Sequence, residues 1–299
     1  MESYKPVGNL KKVLYFFSLI KYNPDIKQIH PTREREVTIM KKAMTLVLAA
    51  LMLVLCFTGC GKSDVSSDMK MVQDKGKLVV GITDYAPMDY KDENGEWTGF
   101  DAEFARMFAK ELGVDVEFFV LTDWGMKFQE LQSKNIDAIW NGMTITEEVT
   151  LNSSCSNAYV INAQVVVMKA DVVGDYDYIE SLSDLKFAVE NGSAGQAALD
   201  DLGITGYVTL QDQAAALMEV AAGTSDACVI DITMANAMTG EGTSYDNLAA
   251  GISLTSEEYG VAFRKDSDMT AKFNELLKKW MADGTLDALA EKYSLTLAK

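Results

Sequence analysis

The side chains able to do chemistry are unevenly supplied: 44 Asp and Glu, 27 Lys and Arg, four Cys and a single His. That histidine, His30, falls in an N-terminal stretch that reads as a leader. The body therefore offers no imidazole for a zinc site, a Ser-His dyad or a general base. Of the cysteines, Cys56 lies inside an apolar run and Cys60 ends it, which leaves Cys155 and Cys228 for the folded part. No CxxC occurs and no metal-ligand spacing appears, so neither a metal nor another cofactor is implied. The two remaining thiols sit in short apolar contexts and read as buried and inert, with a disulfide between them as the alternative. Gly61-Lys62-Ser63 is not a phosphate loop, because the first glycine of that pattern would fall at Cys56. What remains is recognition chemistry, with an abundance of carboxylates.

Charge narrows the partners. The chain carries −17, and the nine basic and four acidic residues of its first 59 leave 18 basic against 40 acidic residues beyond them, or −22. Such a body repels nucleic acid and anionic lipid surfaces.

The elements that must position the remaining groups alternate. Leu78–Thr83 is a short apolar, β-branched run, which predicts a buried strand. Phe104, Phe108 and Leu112 recur at helical spacing over 101–112, and Gly113 follows as a C-cap. Strands are predicted over 114–120, 136–140 and 165–169, with a helix over 126–133. The pattern then restarts with strands over 186–190, 207–210 and 227–230, and helices over 195–202, 214–222 and 232–238. Residues 271–292 read as two closing helices divided at Gly284. Two successive α/β units of ~100 residues predict two lobes with mostly parallel sheets flanked by helices. Ligands of such sheets bind beyond the carboxyl ends of strands, so the loops after Thr83, Val120, Trp140, Glu190 and Ile230 are where function is expected.

The N-terminus reads as an export signal. Met40-Lys41-Lys42 and the apolar run from Met44 to Phe57 have the basic and hydrophobic regions of a secretory signal. The run is short of the roughly 20 apolar residues a spanning helix needs. It ends in Phe57-Thr58-Gly59-Cys60, which resembles a bacterial lipobox with Phe57 where Leu is usual, and which predicts a lipidated Cys60. An ordinary cleaved signal is the alternative. Residues 60–75 then read as a tether, its first part rich in Ser, Asp, Gly and Lys. Arg35-Glu36-Val37-Thr38 can be encoded by a stretch containing GGAGGTGA, a good ribosome-binding site before Met40. Residues 1–39 are accordingly expected to be a mis-translated leader, and 40–59 the lipoprotein signal peptide.

The strand-end loops carry further motifs. Gly99-Phe100-Asp101-Ala102-Glu103-Phe104, Asp137 through Thr146, Glu190 through Gly195, Ser225 through Asp231, and Glu258 through Phe263 resemble, in order, the motifs of the extracellular solute-binding proteins for polar amino acids, family 3. The resemblance runs over about 76–297. It implies a type II periplasmic-binding-protein fold: two α/β lobes with mixed, mostly parallel sheets, joined by a two-strand hinge. Lobe 1 would be 76–158 plus 260–299, lobe 2 164–254, and the crossings 159–163 and 255–259. It further implies a monomer that captures an amino acid or a related amine for an ABC importer permease, held at the outer face of the cell membrane by its lipid.

Carried over by position, Tyr85 and Trp124 match the aromatics that sandwich the ligand, with core packing as the alternative. Asp84 is a candidate side-chain contact. Asn141, Gly142 and Thr144 match a cradle of backbone and hydroxyl groups. Ser193 and Ala194 lie between a strand and a helix, where free N–H groups and the helix dipole favour an anion. Asp231 matches the carboxylate that pairs with a ligand ammonium, and a plain N-cap is its other reading. Glu190 either joins it in the cleft or is an exposed surface carboxylate. One departure stands out. The family places an arginine five residues after the threonine here numbered Thr144, where it pairs with the ligand carboxylate; this chain has Val149. Arg106 and Arg264, the remaining arginines of the body, lie near no cleft motif. The expectation is an apolar wall at Val149, with only N–H donors left for a carboxylate, and hence a preference for an amine, betaine, amide or peptide-like ligand. A ligand sensor acting on a separate partner, and a dehydratase for cyclic carboxylates on the same scaffold, are the competing readings.

Overall fold

The computed structural model of the protein describes residues 67–299. The described chain opens with helix α1 (Asp68–Lys75). This corrects the expected tether over its second half. Ser67 caps the helix by accepting from the Lys70 amide at 2.9 Å, Val72 is buried, and Arg264 holds Asp68 at 3.0 Å. The leader, the signal peptide, Cys60 and the rest of the tether lie outside the described residues.

The first half then runs β1 (Lys77–Ile82), a small hairpin of β2 (Tyr90–Lys91) and β3 (Trp97–Thr98), α2 (Phe100–Leu112), β4 (Asp115–Val120), α3 (Lys127–Gln132), β5 (Ala138–Ile139), α4 (Glu147–Asn152) and β6 (Ser154–Cys155). After β7 (Val160–Asn162) come β8 (Gln164–Lys169), β9 (Phe187–Glu190), α5 (Ala194–Asp201), β10 (Tyr207–Leu210), α6 (Gln213–Ala222), β11 (Ala227–Asp231), α7 (Ile232–Met238) and β12 (Leu248–Ser253). The chain returns through β13 (Glu257–Tyr259) and β14 (Ala262–Phe263) and closes with α8 (Asp268–Ala282) and α9 (Thr285–Lys292).

Two five-stranded sheets result, ordered β4-β1-β5-β14-β6 and β10-β9-β11-β8-β12. In each, three parallel strands with helical crossovers form one side and the other two strands add antiparallel. β7 and β13 pair antiparallel with each other, so the chain runs from the first sheet to the second and back along one two-stranded ribbon. This is the two-lobe, type II arrangement.

The cores follow the sequence pattern. β1 buries five consecutive residues because both faces of its sheet are covered. α2 turns Phe104 and Phe108 inward one helical turn apart, where Phe104 meets Trp140 edge-on with centroids 5.0 Å apart and Phe273 of α8 packs against both. Gly113 ends α2 at φ 74°, which a residue with a Cβ rarely adopts. α4 was not anticipated: among Glu147–Asn152 only Val149 is buried, so no apolar period marks the segment, and its start is set by Thr146, whose Oγ1 accepts from the Val149 amide at 3.2 Å. Cys155 and Cys228 are unpaired thiols on different sheets, Cys155 half-buried and Cys228 buried. Burial raises both, Cys155 to about 11, so both stay protonated and unreactive at neutral pH.

Candidate ligand-binding site

β1, β4 and β5 all deliver their carboxyl ends to one side of the first sheet, and β9 and β11 do the same in the second. Between these ends lies a cavity of about 320 Å³. Nine of the eleven expected residues line it: Trp124, Asn141, Gly142, Thr144 and Val149 from the first lobe, and Glu190, Ser193, Ala194 and Asp231 from the second. The lobes also touch at its mouth. Asp123 Oδ1 accepts from the Asn191 amide side chain at 2.9 Å, and Lys127 Nζ donates to the Gly192 carbonyl at 2.8 Å. This approach needs Gly125 and Gly192: a Cβ on Gly125 would stand 2.6 Å from Asn191 Nδ2, and one on Gly192 2.9 Å from the Gly125 Cα.

Two expectations fail. Tyr85 does not line the cavity. Its ring is fully buried beneath Gly142, where a Cβ would meet it at 2.5 Å, and its hydroxyl bonds Thr233 Oγ1 of the second lobe and the Tyr259 hydroxyl of the ribbon. The packing alternative is therefore the correct one for Tyr85. Asp84 is exposed and faces Asp212 and Lys91 rather than the cavity; partial burial and the like charge of Asp212 raise its pKa.

Asp231 ends β11 at the N-cap position of α7, yet its side chain makes no capping bond. Its carboxylate instead accepts from three side-chain amides, those of Asn162, Gln213 and, at 2.8 Å, Gln164. The plain N-cap reading is thereby excluded. Burial pushes Asp231 up to about 6, Glu257 beside it adds to the rise, and the Gln213 amide opposes both. Glu190, at the end of β9, is also buried, which removes its surface reading, and its Oε1 has no hydrogen-bond partner among the described residues. Burial first, then the neighbouring Asp231, raise it well above the usual carboxylate range. A buried carboxyl oxygen left without a donor is costly, and Glu190 lines the cavity with this acceptor unpaired.

The sequence reading missed the frame that holds these groups. Thr144 Oγ1 donates to Glu257 at 2.9 Å, and Glu257 also accepts from Asn162 at 3.2 Å and Gln164 at 3.0 Å. One network thus joins the first-lobe cradle, the ribbon and Asp231. Asn162 and Gln164, two apart along extended chain, were the available signal, since residues so spaced share a face. Asn141 is likewise fixed, accepting from the Thr83 amide at 2.9 Å and donating to Thr83 Oγ1 at 2.7 Å. Ser193 caps α5 by accepting from Gln196 N at 3.1 Å.

The more consequential omission is Lys127. It is buried in the cavity wall at the start of α3, with its ammonium 5.0 Å from the Trp124 ring centre and 4.9 Å from that of Phe128. Desolvation lowers its pKa, and Glu148, Glu190 and Asp123 act against the drop. The cavity wall therefore contains a cation, although Val149 is, as expected, apolar and buried against Trp124 and Met143. Arg264 stands elsewhere, among Asp68, Asp137 and the Ile136 carbonyl, and Arg106 lies on the Trp97 carbonyl and the Phe118 ring.

Residues 78–296 match the bacterial extracellular solute-binding proteins, family 3, and the chain belongs to that family. Among curated relatives, the arginine-binding extracellular protein ArtP of Bacillus subtilis is 32% identical over 265 residues, 85% of this chain and 98% of ArtP. The L-cystine-binding protein TcyJ of Escherichia coli is 29% identical over 75% of this chain and 85% of its own length. Among solved structures, an ancestral arginine-binding protein bound to arginine superposes with a TM-score of 0.66 at 33% identity, covering 73% of this chain and 98% of its own. An ancestral amino acid-binding protein described as a precursor of cyclohexadienyl dehydratase gives 0.69 at 33% identity, over 76% and 99%. The protein is thus an extracellular solute-binding protein with a two-lobe fold. Among the described residues no helix is long and apolar enough to cross a membrane.

Proposed function

We propose that the protein captures an amino acid or a related small amine with a cationic end, and presents it to the permease of an ABC importer. The observation that carries this reading is one cavity walled by Trp124 and Lys127 from the first lobe and by Glu190 and Asp231 from the second. A ligand there contacts both lobes at once, so its affinity favours the closed arrangement and couples capture to a shape the permease can recognise. Glu190 and Asp231 inside, with Glu147, Glu148 and Asp201 nearer the mouth, make the cavity net acidic and attract positive charge. The names of the relatives, which include arginine-binding proteins, point the same way. A lipid on Cys60 would hold the body at the outer membrane face.

A thermal-shift screen of amino acids, amines, betaines and short peptides tests the ligand class. A ligand at a hundred times its dissociation constant adds about 2.7 kcal/mol of stability. Small-angle scattering with the best ligand should show a smaller radius of gyration, and an unchanged profile at saturation would remove the closing mechanism. Cys60→Ala should release the protein from membranes; retention would remove the lipid anchor.

A further inference from the structure

We infer that Lys127 is the anchor for an anionic group of the ligand, doing from the start of α3 what the apolar Val149 leaves undone, so that the preferred ligand is a zwitterion rather than a simple amine. The inference rests on the proposed capture of an amino acid or amine.

Three observations carry it. First, Lys127 and Val149 line the same cavity and pack around the same ring, since Val149 shares a cluster with Trp124 and the Lys127 ammonium lies over that ring. The cation is thus within the part of the wall where the arginine is absent. Second, the ammonium is incompletely used. It has three N–H donors; one reaches the Gly192 carbonyl, and no side-chain carboxylate of the described residues pairs with it. A buried ammonium without an anion is unfavourable, and a ligand carboxylate would relieve that. Third, the opposite charge is also open: Glu190 Oε1 is buried, unpartnered and in the same wall. The cavity therefore presents one incompletely satisfied cation and one incompletely satisfied carboxylate. A molecule carrying both charges satisfies both, whereas an amine satisfies Glu190 alone and adds a second positive charge beside Lys127. The first turn of α5 lies next to the Gly192 carbonyl that Lys127 holds, so its N–H groups reinforce the same anion.

L-Arginine and agmatine are the deciding pair, because they share the guanidinium and differ in the carboxylate. Calorimetric titration of the wild type, Lys127→Met and Lys127→Arg with both compounds reads the preference as a ratio. Loss of the Lys127–Gly192 bond weakens closure for both ligands alike and cancels in that ratio. The wild type should prefer arginine by about thirtyfold or more, the Met variant should bring the ratio to within about threefold, and the Arg variant should retain most of it. Should the Met variant not fold, Lys127→Gln, which also removes the charge, takes its place with the same expected ratio. A wild type that binds agmatine as well as arginine overturns the inference while leaving amine capture intact. An arginine preference unchanged in the Met variant overturns it too, and leaves Lys127 as an interlobe latch only. If lysine with cadaverine and histidine with histamine also fail to bind, the proposed function falls together with the inference.

Discussion

Two aromatic loops in the first lobe look alike in the sequence and end in different roles. β1 and β4 are hydrogen-bonded neighbours with Ile82 opposite Val120, and each is followed within a few residues by a large ring, Tyr85 and Trp124. Trp124 stays at the cavity, held by a short turn in which Asp123 accepts from the Gly125 amide at 2.8 Å. Tyr85 goes under the cradle, because its hydroxyl finds Thr233 and Tyr259 and its ring fills the space that Gly142 leaves. The strand-end rule locates a loop, but the partners available at depth decide which way its side chain turns.

The largest expected effect tests the Tyr85 side. Gly142→Ala places a Cβ 2.5 Å from the Tyr85 ring at a residue with φ 56°, so strain and overpacking add. Chemical denaturation should show a loss of about 3 kcal/mol. A neutral result would mean that the ring moves freely and that the two loops differ less than the structure indicates.

Trp124→Leu tests the other side. It keeps an apolar side chain in the cluster with Leu131 and Met143 but removes the ring face. Ligand affinity should fall by about thirtyfold, roughly 2 kcal/mol, with a small change in melting temperature. A large loss of stability at unchanged affinity would make Trp124 a core residue like Tyr85.

The cavity carboxylates add a pH test. Asp231, raised to about 6, binds its proton more tightly folded than unfolded. Its contribution to the stability of the ligand-free protein is therefore present below the ordinary carboxylate range and lost as pH rises through about 6. Binding of a cation has the opposite sign, because it needs Asp231 ionised: affinity should drop by about tenfold from pH 7 to pH 5. Titration calorimetry at both pH values checks it, and an affinity that rises on acidification would remove the carboxylates from cation binding.

The smallest effect is that of Tyr85→Phe. Deleting a hydroxyl bonded to Thr233 and Tyr259 should cost about 1 kcal/mol of stability while the ratio of affinities among different ligands stays as it was. A changed ratio would return Tyr85 to the cavity wall.

Much of this molecule was legible in its residues. The alternation of apolar runs and helical periods determined two α/β units, and the residues at the carboxyl ends of the predicted strands supplied most of the cavity wall, because parallel α/β sheets open at that edge. Motif order determined the family, and the exchange at Val149 was visible at once. Four outcomes were decided only by tertiary structure. Residues 68–75 became a helix because Asp268 and Arg264, some 200 positions away, bind its first turn. Asp231 became a carboxylate ringed by amides because Asn162, Gln164 and Gln213 arrive from three separate strands or helix starts. Tyr85 was turned inward by Thr233 and Tyr259. Lys127, an unremarkable lysine at the start of a short helix, became the cation of the cavity wall because Gly192 of the other lobe approaches closely enough to accept from it. Periodicity records which face of an element is apolar, a property of neighbours in the chain. Which polar groups meet across a cleft depends on contacts between distant segments, and no local pattern encodes that.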